Sequence, residues 1–310
     1  MILNDWPGNK ILEFSSYRFL KEGLEKEKDL LRILHLSDLQ GASFGENNVE
    51  LLSKVSDAKP HLIVFTGDLV DRRMHVDKDF GPSIEFMSNL MKIAPTFFTY
   101  GNHELAFSSS TVDALRGKLE NAGVVVLDGN SYIQEIQVSE PMNNGEQKNL
   151  DLDSGISKFR SLRVLLTGFP ERLLMVKGKN RTKKNSDVDL KVVRCAVDEL
   201  KGKRRESQCD ISVLLAHEPQ FIEEYSVADY DYIFSGHAHG GQIRVPFLGG
   251  LFSPGQGILP KYTSGVYKAG NGQMIVSRGL GNSSFPIRIF NRPEIILAEI
   301  QVWNSAIFKF

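Results

Sequence analysis

The sequence has few features of a secreted, membrane-spanning or nucleic-acid-binding protein. Only two of its 310 residues are cysteine, and Cys195 and Cys209 form no CxxC pair, which argues against a disulfide framework and favours a reducing compartment. Its longest apolar stretches are about ten residues, well short of the roughly 20 that span a bilayer. A net charge of -1 gives no general attraction to nucleic acids or anionic membranes.

The chain also lacks the linkers that would separate domains and the signal peptide that would direct export. The N-terminal segment MILNDWPGNK has no basic start followed by an apolar run, so we expect no signal peptide and a cytoplasmic location. Neither an internal repeat nor a Pro/Gly/Ser-rich linker is visible. With 41% apolar and 24% charged residues, the composition is that of a globular protein with a sizeable core. We therefore predict that residues 1–310 form a single domain.

Short apolar runs alternate with amphipathic segments along the chain. Nearly continuous apolar runs of about five or six residues are typical of strands buried on both faces. Their alternation with helical segments predicts an α/β architecture. The predicted strands are 32–37, 61–66, 96–100, 124–128, 162–168, 211–216, 230–235, 273–278 and 294–303. The predicted helices are 46–57, 82–93, 110–121, 188–201 and 219–226.

Two polar segments depart from this alternation, and we predict both as surface insertions. Residues 139–159 are rich in Asn and Gly, as long loops are. Residues 172–206 contain twelve Lys or Arg against five Asp or Glu, which fits either a solvated helix with its loops or a patch for an anionic partner. No aromatic residues interleave these charges as they do where nucleic-acid bases stack, so nucleic acid is not the expected partner.

Residue types that bind metal ions follow five of the predicted strands. Taken singly, each has an ordinary explanation as a turn, cap or core residue. In open α/β sheets, however, the carboxyl ends of neighbouring strands face one crevice, where distant side chains can converge. Together they therefore favour one shared site. The five segments are SDLQ with Asp38 and Gln40, TGDLVD with Asp68 and Asp71, GNHE with Asn102, His103 and Glu104, AHEP with His217, and GHAH with His237 and His239.

The order of these segments resembles that of the calcineurin-like metallophosphoesterases. The segments GHAHGGQIRVP and SRGLGNSSFPIRIFNRPEI look like the YkuE-like branch of that family. The likeness runs from about residue 30 to 300. It implies a four-layer α-β-β-α sandwich with two central mixed sheets.

The resemblance also implies a metal-dependent phosphoesterase. Such an enzyme hydrolyses a phosphomonoester, phosphodiester or pyrophosphate by in-line attack of a hydroxide that bridges two divalent ions. Imidazole, carboxylate and amide ligands suit Mn²⁺, Zn²⁺ or Fe. By resemblance, Asp68 would bridge the two ions and take part in catalysis. The first ion would be held by Asp38, Gln40 and His239, and the second by Asn102, His217 and His237.

The residues around the expected ligands have expected roles as well. In the family, the histidine at His103 stabilises the phosphoryl charge or protonates the leaving oxygen, a task suited to a pKa near 6.5. We expect Glu104 to orient the His103 imidazole. Asp71 fits a turn or a supporting residue. Arg72 and Arg73 either contact the substrate phosphate, which a guanidinium matches well, or are exposed solubilising charges.

Gln40 departs from the family pattern, because this position usually carries a histidine. An amide oxygen is a weaker donor than imidazole toward borderline metals. Gln40 would then ligate weakly, orient a metal-bound water, or leave the first site poorly occupied. We expect one of the first two.

One apolar segment bears on the substrate, and one residue bears on an alternative function. The segment 245–260 contains many large apolar residues for a loop. It fits a small satellite core, or else contact with a lipid or membrane surface, which would suit a lipid-linked UDP-sugar pyrophosphate as substrate. The alternative to a phosphoesterase is a catalytically weakened metal-binding interaction module of the same fold, toward which only Gln40 points.

Overall fold

The computed structural model describes residues 7–20, 29–73, 80–139, 159–175, 188–282 and 285–302. These residues form sixteen strands and five α-helices. The strands are β1 (Glu13–Leu20), β2 (Asp29–Leu36), β3 (Leu62–Thr66), β4 (Thr96–Thr99), β5 (Val125–Val126), β6 (Ser131–Ser139), β7 (Phe159–Gly168), β8 (Ile211–Leu215), β9 (Tyr232–Ser235), β10 (Arg244–Val245), β11 (Gly249–Gly250), β12 (Phe252–Ser253), β13 (Gly257–Ile258), β14 (Gly265–Ala269), β15 (Gly272–Val276) and β16 (Glu294–Val302). The helices are α1 (Val49–Asp57), α2 (Gly81–Met91), α3 (Ser109–Asn121), α4 (Leu190–Glu206) and α5 (Ile222–Val227).

Twelve of the strands form two six-stranded mixed sheets. The first has the order β1-β16-β2-β3-β4-β5 and the second β14-β15-β9-β8-β7-β6. In each sheet the central strands are parallel, namely β2 to β5 in the first and β15, β9, β8 and β7 in the second. An antiparallel partner accompanies each group, such as β16 beside β2 and β6 beside β7.

The two sheets pack face to face, and helices cover their outer faces. One apolar cluster lies between the sheets, where Val64 of β3 and Val213 of β8 are completely buried. A second cluster joins the first sheet to α1, α2 and α3, and a third joins the second sheet to α4 and α5. Three cores between four layers confirm the predicted α-β-β-α sandwich.

Helix α4 illustrates how the sequence sets an outer layer. Its N-cap Asp189 accepts a hydrogen bond from the backbone N–H of Lys191, which satisfies a donor left over in the first turn. The buried residues Val193, Val197 and Leu200 repeat at helical spacing and pack on the second sheet. The last part of the segment 172–206, expected as a surface insertion, therefore supplies an outer helix of the sandwich, whereas its residues 176–187 lie outside the described residues.

The remaining predictions of elements vary in outcome. The buried strands and all five helices are confirmed within a few residues, whereas β1, β6 and β14 were not predicted. These three are outermost in their sheets and consist mostly of exposed and half-buried residues, so they lack a continuous apolar run. Residues 140–158 of the other expected insertion lie outside the described residues.

The sandwich brings the ends of its parallel strands together. Strands β2, β3 and β4 run parallel to one another in one sheet, as β8 and β9 do in the other, so the loops that follow them emerge at one edge. Backbone hydrogen bonds join these loops, for example from the N–H of Asp38 to the carbonyl of Gly67 at 2.9 Å. Within the described residues, no helix combines the length and apolar character needed to cross a membrane.

Candidate active site

All seven expected ligands lie together at this edge, immediately after the strands. Six are buried, and Asn102 is half-buried. Their donor atoms form two overlapping groups. Asp68, His217 and His237 form one group, Asp38, Asp68 and His239 form the other, and within each group the donor atoms lie within 4.8 Å of one another. Asp68 belongs to both groups.

Asn102 lies beside the group formed by Asp68, His217 and His237. Its Oδ1 lies 2.8 Å from Nδ1 of His237 and 3.1 Å from Nε2 of His217. The two imidazoles also approach each other, with 3.2 Å between Nδ1 of His237 and Nε2 of His217. Oδ2 of Asp68 is 3.5 Å from Nε2 of His217. These separations are those of atoms that surround a common point.

Gln40 lies at the second group. Its amide Nε2 is 3.2 Å from Oδ2 of Asp68 and 3.1 Å from Nε2 of His239. Nε2 of His239 is in turn 3.3 Å from Oδ1 of Asp38. The structure thus brings Gln40 to the place where the resemblance expected a ligand.

Five of these seven residues have left-handed backbone conformations. A positive φ is unfavourable for residues other than glycine, and such strain clusters at functional sites. Here it turns the chain sharply at the strand ends, so that the side chains face the crevice. The five are Asp38 (φ 54°), Gln40 (φ 47°), Asp68 (φ 55°), His237 (φ 64°) and His239 (φ 45°).

Backbone groups fix the orientation of two imidazoles. Nδ1 of His217 is 2.7 Å from the carbonyl oxygen of Thr66. A carbonyl only accepts, so Nδ1 carries a proton, and in the neutral ring Nε2 presents its lone pair to the crevice. His103 has the opposite arrangement, since its Nδ1 accepts a hydrogen bond from the N–H of Arg72 at 3.2 Å. The neutral His103 ring therefore carries its proton on Nε2, which lies 3.9 Å from Oδ2 of Asp68.

Burial and mutual charge shift the pKa values of the clustered groups. Burial raises the pKa of Asp38 to about 7. Burial alone would raise the pKa of Asp68 too, but His217 and His103 outweigh it and hold that pKa below its usual range. Burial would lower the pKa of His217, yet Asp68 raises it well above the ordinary value. Burial lowers the pKa of His237 to about 3, so this ring is neutral and able to donate a lone pair.

The donor set fits divalent cations. Carboxylate, imidazole and amide groups in one cluster suit ions such as Mn²⁺, Zn²⁺ or Fe. Asp38 and Asp68 are two neighbouring buried carboxyl groups, and both are ionised together only when positive charge lies nearby. Oε1 of Gln40 is buried and has no hydrogen-bond partner among the described residues. Rotating this amide by 180° would turn Oε1 toward Asp68 and His239, as a ligand would need.

Glu104 does not orient His103, contrary to expectation. Its Oε2 accepts hydrogen bonds from the backbone N–H groups of Asp68 (2.9 Å) and Gly101 (2.8 Å), and its Oε1 accepts from that of Val70 (3.1 Å). Burial, with the nearby charge of Asp68, raises the pKa of Glu104 to about 7. Glu104 therefore joins the loops after β3 and β4 by hydrogen bonds. It fixes the position of the Asp68 backbone and does not orient the ring of His103.

The two arginines after Asp71 differ in their partners. The guanidinium of Arg73 donates to Asp71 from Nε at 2.8 Å and from Nη2 at 2.5 Å, so it is paired within its own turn. Arg72 lies close enough to His103 and His237 for its charge to lower the pKa of both rings, behind the larger effect of burial. Asp71 also lies 3.6 Å, through Oδ1, from Nδ1 of His103.

Comparison with known proteins identifies the family. A family model described as calcineurin-like phosphoesterase matches residues 31–241. This match covers more than half of the chain, so the protein belongs to the calcineurin-like phosphoesterase family and is a metallophosphoesterase. The predicted resemblance is confirmed.

Three curated relatives span nearly the same length. The uncharacterized metallophosphoesterase YkoQ of Bacillus subtilis is 26% identical over 283 residues, covering 90% of this chain and 87% of YkoQ. The uncharacterized metallophosphoesterase YkuE of the same organism is 26% identical, with coverages of 89% and 81%. The phosphodiesterase YaeI of Escherichia coli is 27% identical, with coverages of 87% and 82%.

The role of Glu104 leads to a prediction about stability. In Glu104→Gln, the amide nitrogen cannot accept a hydrogen bond, so at least one of the three buried backbone N–H groups loses its acceptor whichever way the amide turns. Each buried donor left unpaired costs about 1–3 kcal/mol. We expect the free energy of unfolding, measured with urea in the presence of a chelator, to fall by at least that amount.

The control is Glu120→Gln on α3, which makes the same chemical change at a side chain that is 47% exposed. Its pair with Arg116 is at the surface, where such pairs contribute at most about 1 kcal/mol. An unchanged stability of Glu104→Gln would contradict the assigned role.

Proposed function

We propose that this site hydrolyses a phosphoester with the help of two divalent cations that share Asp68. The observation that carries the proposal is the membership of Asp68 in both groups of converging donors. One cation would be held by Asp68, Asn102, His217 and His237, and the other by Asp38, Gln40, Asp68 and His239. When bound, such a pair activates a water as nucleophile and neutralises the charge on the phosphate oxygens. Mn²⁺, Zn²⁺ and Fe are the cations that suit these ligands.

His103 is the proposed proton donor. Its Nδ1 is fixed by the N–H of Arg72, which leaves Nε2–H directed toward Asp68 and the crevice. From there it can donate a hydrogen bond to a phosphate oxygen. In the charged form, Nδ1 would exchange the N–H of Arg72 for the carboxylate of Asp71, 3.6 Å away, and Nε2 could release its proton to the leaving oxygen. Arg72 is the candidate for contact with the phosphate, because Arg73 is engaged by Asp71.

The phosphoester class remains open among monoesters, diesters and pyrophosphates. The name of the E. coli relative, a phosphodiesterase, favours a diester. Hydrolysis of p-nitrophenyl phosphate and of bis-p-nitrophenyl phosphate with added Mn²⁺ would distinguish the first two classes.

Removal of the proton donor provides the test of mechanism. His103→Ala should lower the turnover number on the better of these two esters by about 10²–10⁴-fold, the contribution of a positioned general acid. The measurement is steady-state kinetics at saturating Mn²⁺, with bound metal quantified so that lost metal is not mistaken for lost catalysis.

A suitable control is His61→Ala. His61 accepts a hydrogen bond from the N–H of Arg32 at the start of β3, opposite the strand end that carries Asp68, and turnover should not change. Undiminished turnover in His103→Ala would remove the assignment. A wild-type protein that binds two equivalents of metal but hydrolyses no phosphoester would favour the interaction-module alternative.

Gln40 is proposed as a weak ligand of the cation beside Asp38. Its amide reaches Asp68 and His239, but an amide oxygen is a poorer donor than imidazole toward borderline metals. Gln40→His should therefore tighten the binding of one equivalent of Mn²⁺ or Zn²⁺ and leave the other unchanged, as measured by calorimetric titration under limiting metal. Gln40→Ala is the opposing control, with weaker binding expected. Equal affinities in all three proteins would contradict the proposal.

A second candidate function concerns a lipid-linked substrate, and a specific surface favours it. Strands β10 to β13 form two small hairpins directly after the His239–Gly241 turn. Hydrogen bonds from the N–H of Arg244 to the carbonyl of Ile289 and from Leu259 to Leu251 join the hairpins to each other and to the segment 285–290. Seven large apolar side chains of these segments are 43–110% exposed, and we call them the apolar rim: Phe247, Leu248, Phe252, Ile258, Leu259, Phe285 and Phe290.

The apolar rim adjoins the site. Phe285 of the rim and His239 of the site line the same shallow surface depression. Large contiguous apolar surfaces mark contact with ligands, proteins or membranes. We propose that the rim receives the apolar part of a substrate such as a lipid-linked UDP-sugar pyrophosphate at a membrane surface, while the pyrophosphate lies at the site.

Binding to lipid vesicles tests the apolar rim. Burying a Phe or Ile side chain contributes about 1.5–3 kcal/mol, so Phe247→Ser combined with Ile258→Ser should weaken sedimentation with phosphatidylglycerol vesicles by at least about tenfold. Turnover on a water-soluble ester should be unchanged. Leu20→Ser is the control, because Leu20 is 70% exposed on β1 and outside the rim. Equal vesicle binding by all three proteins would exclude a lipid-binding rim.

A further inference from the structure

Gly281 and the segment 285–291, between β15 and β16, lie behind one of the two proposed cation sites. We propose that Arg288 is a positioning residue that acts through the carbonyl of Gly281 on His239 and Asp38. This inference rests on the proposed function, because it concerns the cation that these two residues would share with Gln40.

The peptide groups of Gly281 connect the two ligands. The N–H of Gly281 donates to the carbonyl of Asp38 at 2.6 Å. Its carbonyl oxygen lies 3.3 Å from Nδ1 of His239. Because that carbonyl only accepts, Nδ1 carries the proton, and Nε2 of the neutral His239 ring presents its lone pair to the cation site that it would share with Asp38. The contact is close, since a Cβ at position 281 would lie 2.2 Å from the carbonyl oxygen of Leu39.

Arg288 fixes the carbonyl of Gly281. The side chain is buried, at 3% exposure, and its guanidinium donates from Nη2 to Gly281. Nη1 donates to the carbonyl of Arg278 at 3.0 Å, and Nε donates to Oδ1 of Asn282 at 3.2 Å. A planar guanidinium held at three points keeps its acceptors in a fixed geometry. The carbonyl of Gly281 is therefore set by Arg288, and the ring of His239 by that carbonyl.

Asn291 holds the backbone of the same ligand. Its Nδ2 donates to the carbonyls of His239 at 2.7 Å and of Gln242 at 2.9 Å. Both ends of this turn have positive φ, 45° at His239 and 57° at Gln242, so the turn needs such support. One segment thus fixes the backbone of His239 through Asn291 and its ring through Arg288. Partners of this kind typically raise metal affinity by 10–100-fold.

A second buried arginine, closer to the end of β15, provides a matched control. Arg278 is 8% exposed, but its guanidinium pairs with the carboxylates of Glu13 at 2.8 Å and Glu294 at 3.0 Å. It thus ties β1 to β16 and does not hold the carbonyl of Gly281. Arg278→Lys and Arg288→Lys make the same change at similar burial, and each retains the positive charge.

The experiment is a calorimetric titration of the chelator-treated full chain with Mn²⁺, which resolves two equivalents. Arg288→Lys should weaken one equivalent by about 10–100-fold and leave the other within about twofold, because a lysine ammonium lacks the fork that holds Gly281. Arg278→Lys should leave both affinities unchanged. The second readout is the ¹⁵N shift of the His239 ring, which should report proton on Nδ1 in the wild type and a mixture of tautomers in Arg288→Lys.

The outcomes separate this inference from the function on which it rests. A wild-type protein that binds no Mn²⁺ would overturn the proposed function itself. Two equivalents bound with wild-type affinity by Arg288→Lys, or both weakened equally, would overturn the positioning role alone. If Arg288→Lys does not fold, Asn282→Ala decides, since it removes the acceptor of Nε of Arg288. It should cause a smaller loss at the same equivalent, and wild-type affinity would overturn the inference.

Discussion

The arrangement of the site depends on one buried carboxylate that lies between two groups of donors. Asp68 is 1% exposed, and its Oδ2 lies near His217 on one side and Gln40 on the other. Its backbone N–H is held by Glu104, and its Oδ1 accepts from the N–H of His103 at 2.8 Å. Hydrogen bonds from the loop after β4 therefore fix the residue on which both groups converge. A buried charge needs this support, because it has lost its contacts with water.

The fold could be predicted from the sequence where burial is complete. Strands β3 and β8 are buried at every position, and such strands read as continuous apolar runs. They also carry the site, so the same runs located the ligands that follow them. Strand β1 escaped prediction because its residues are mostly half-exposed, and its place in the sheet comes from parallel pairing with β16 at the far end of the chain. No local pattern contains that partner.

The site could be predicted in its residue types but not in its supports. Carboxylate, amide and imidazole groups after successive strands are visible in the sequence, and the structure brings all seven expected ligands together. The function of Glu104 was misread because proximity in sequence to His103 suggested a contact. The carboxylate oxygens of Glu104 instead accept hydrogen bonds from the backbone N–H groups of Asp68 and Val70. Such backbone donors cannot be recognised in a sequence, because almost every residue has one. The role of Arg288 could not be predicted for the same reason, since most of its partners are backbone carbonyl oxygens that only folding brings near.

The two proposed cation sites are unequal although they share Asp68. The group with Asn102 contributes two imidazoles, His217 and His237, whereas the group with Asp38 contributes one imidazole and the Gln40 amide. Two cations that share one carboxylate also repel each other, so the second to bind gains less than the first. The site with His217 and His237 would therefore fill first, and the site with Gln40 would set the concentration of metal at which the pair forms. At metal concentrations close to this value, the geometry of His239 matters most, because its imidazole is the strongest neutral donor in the weaker site.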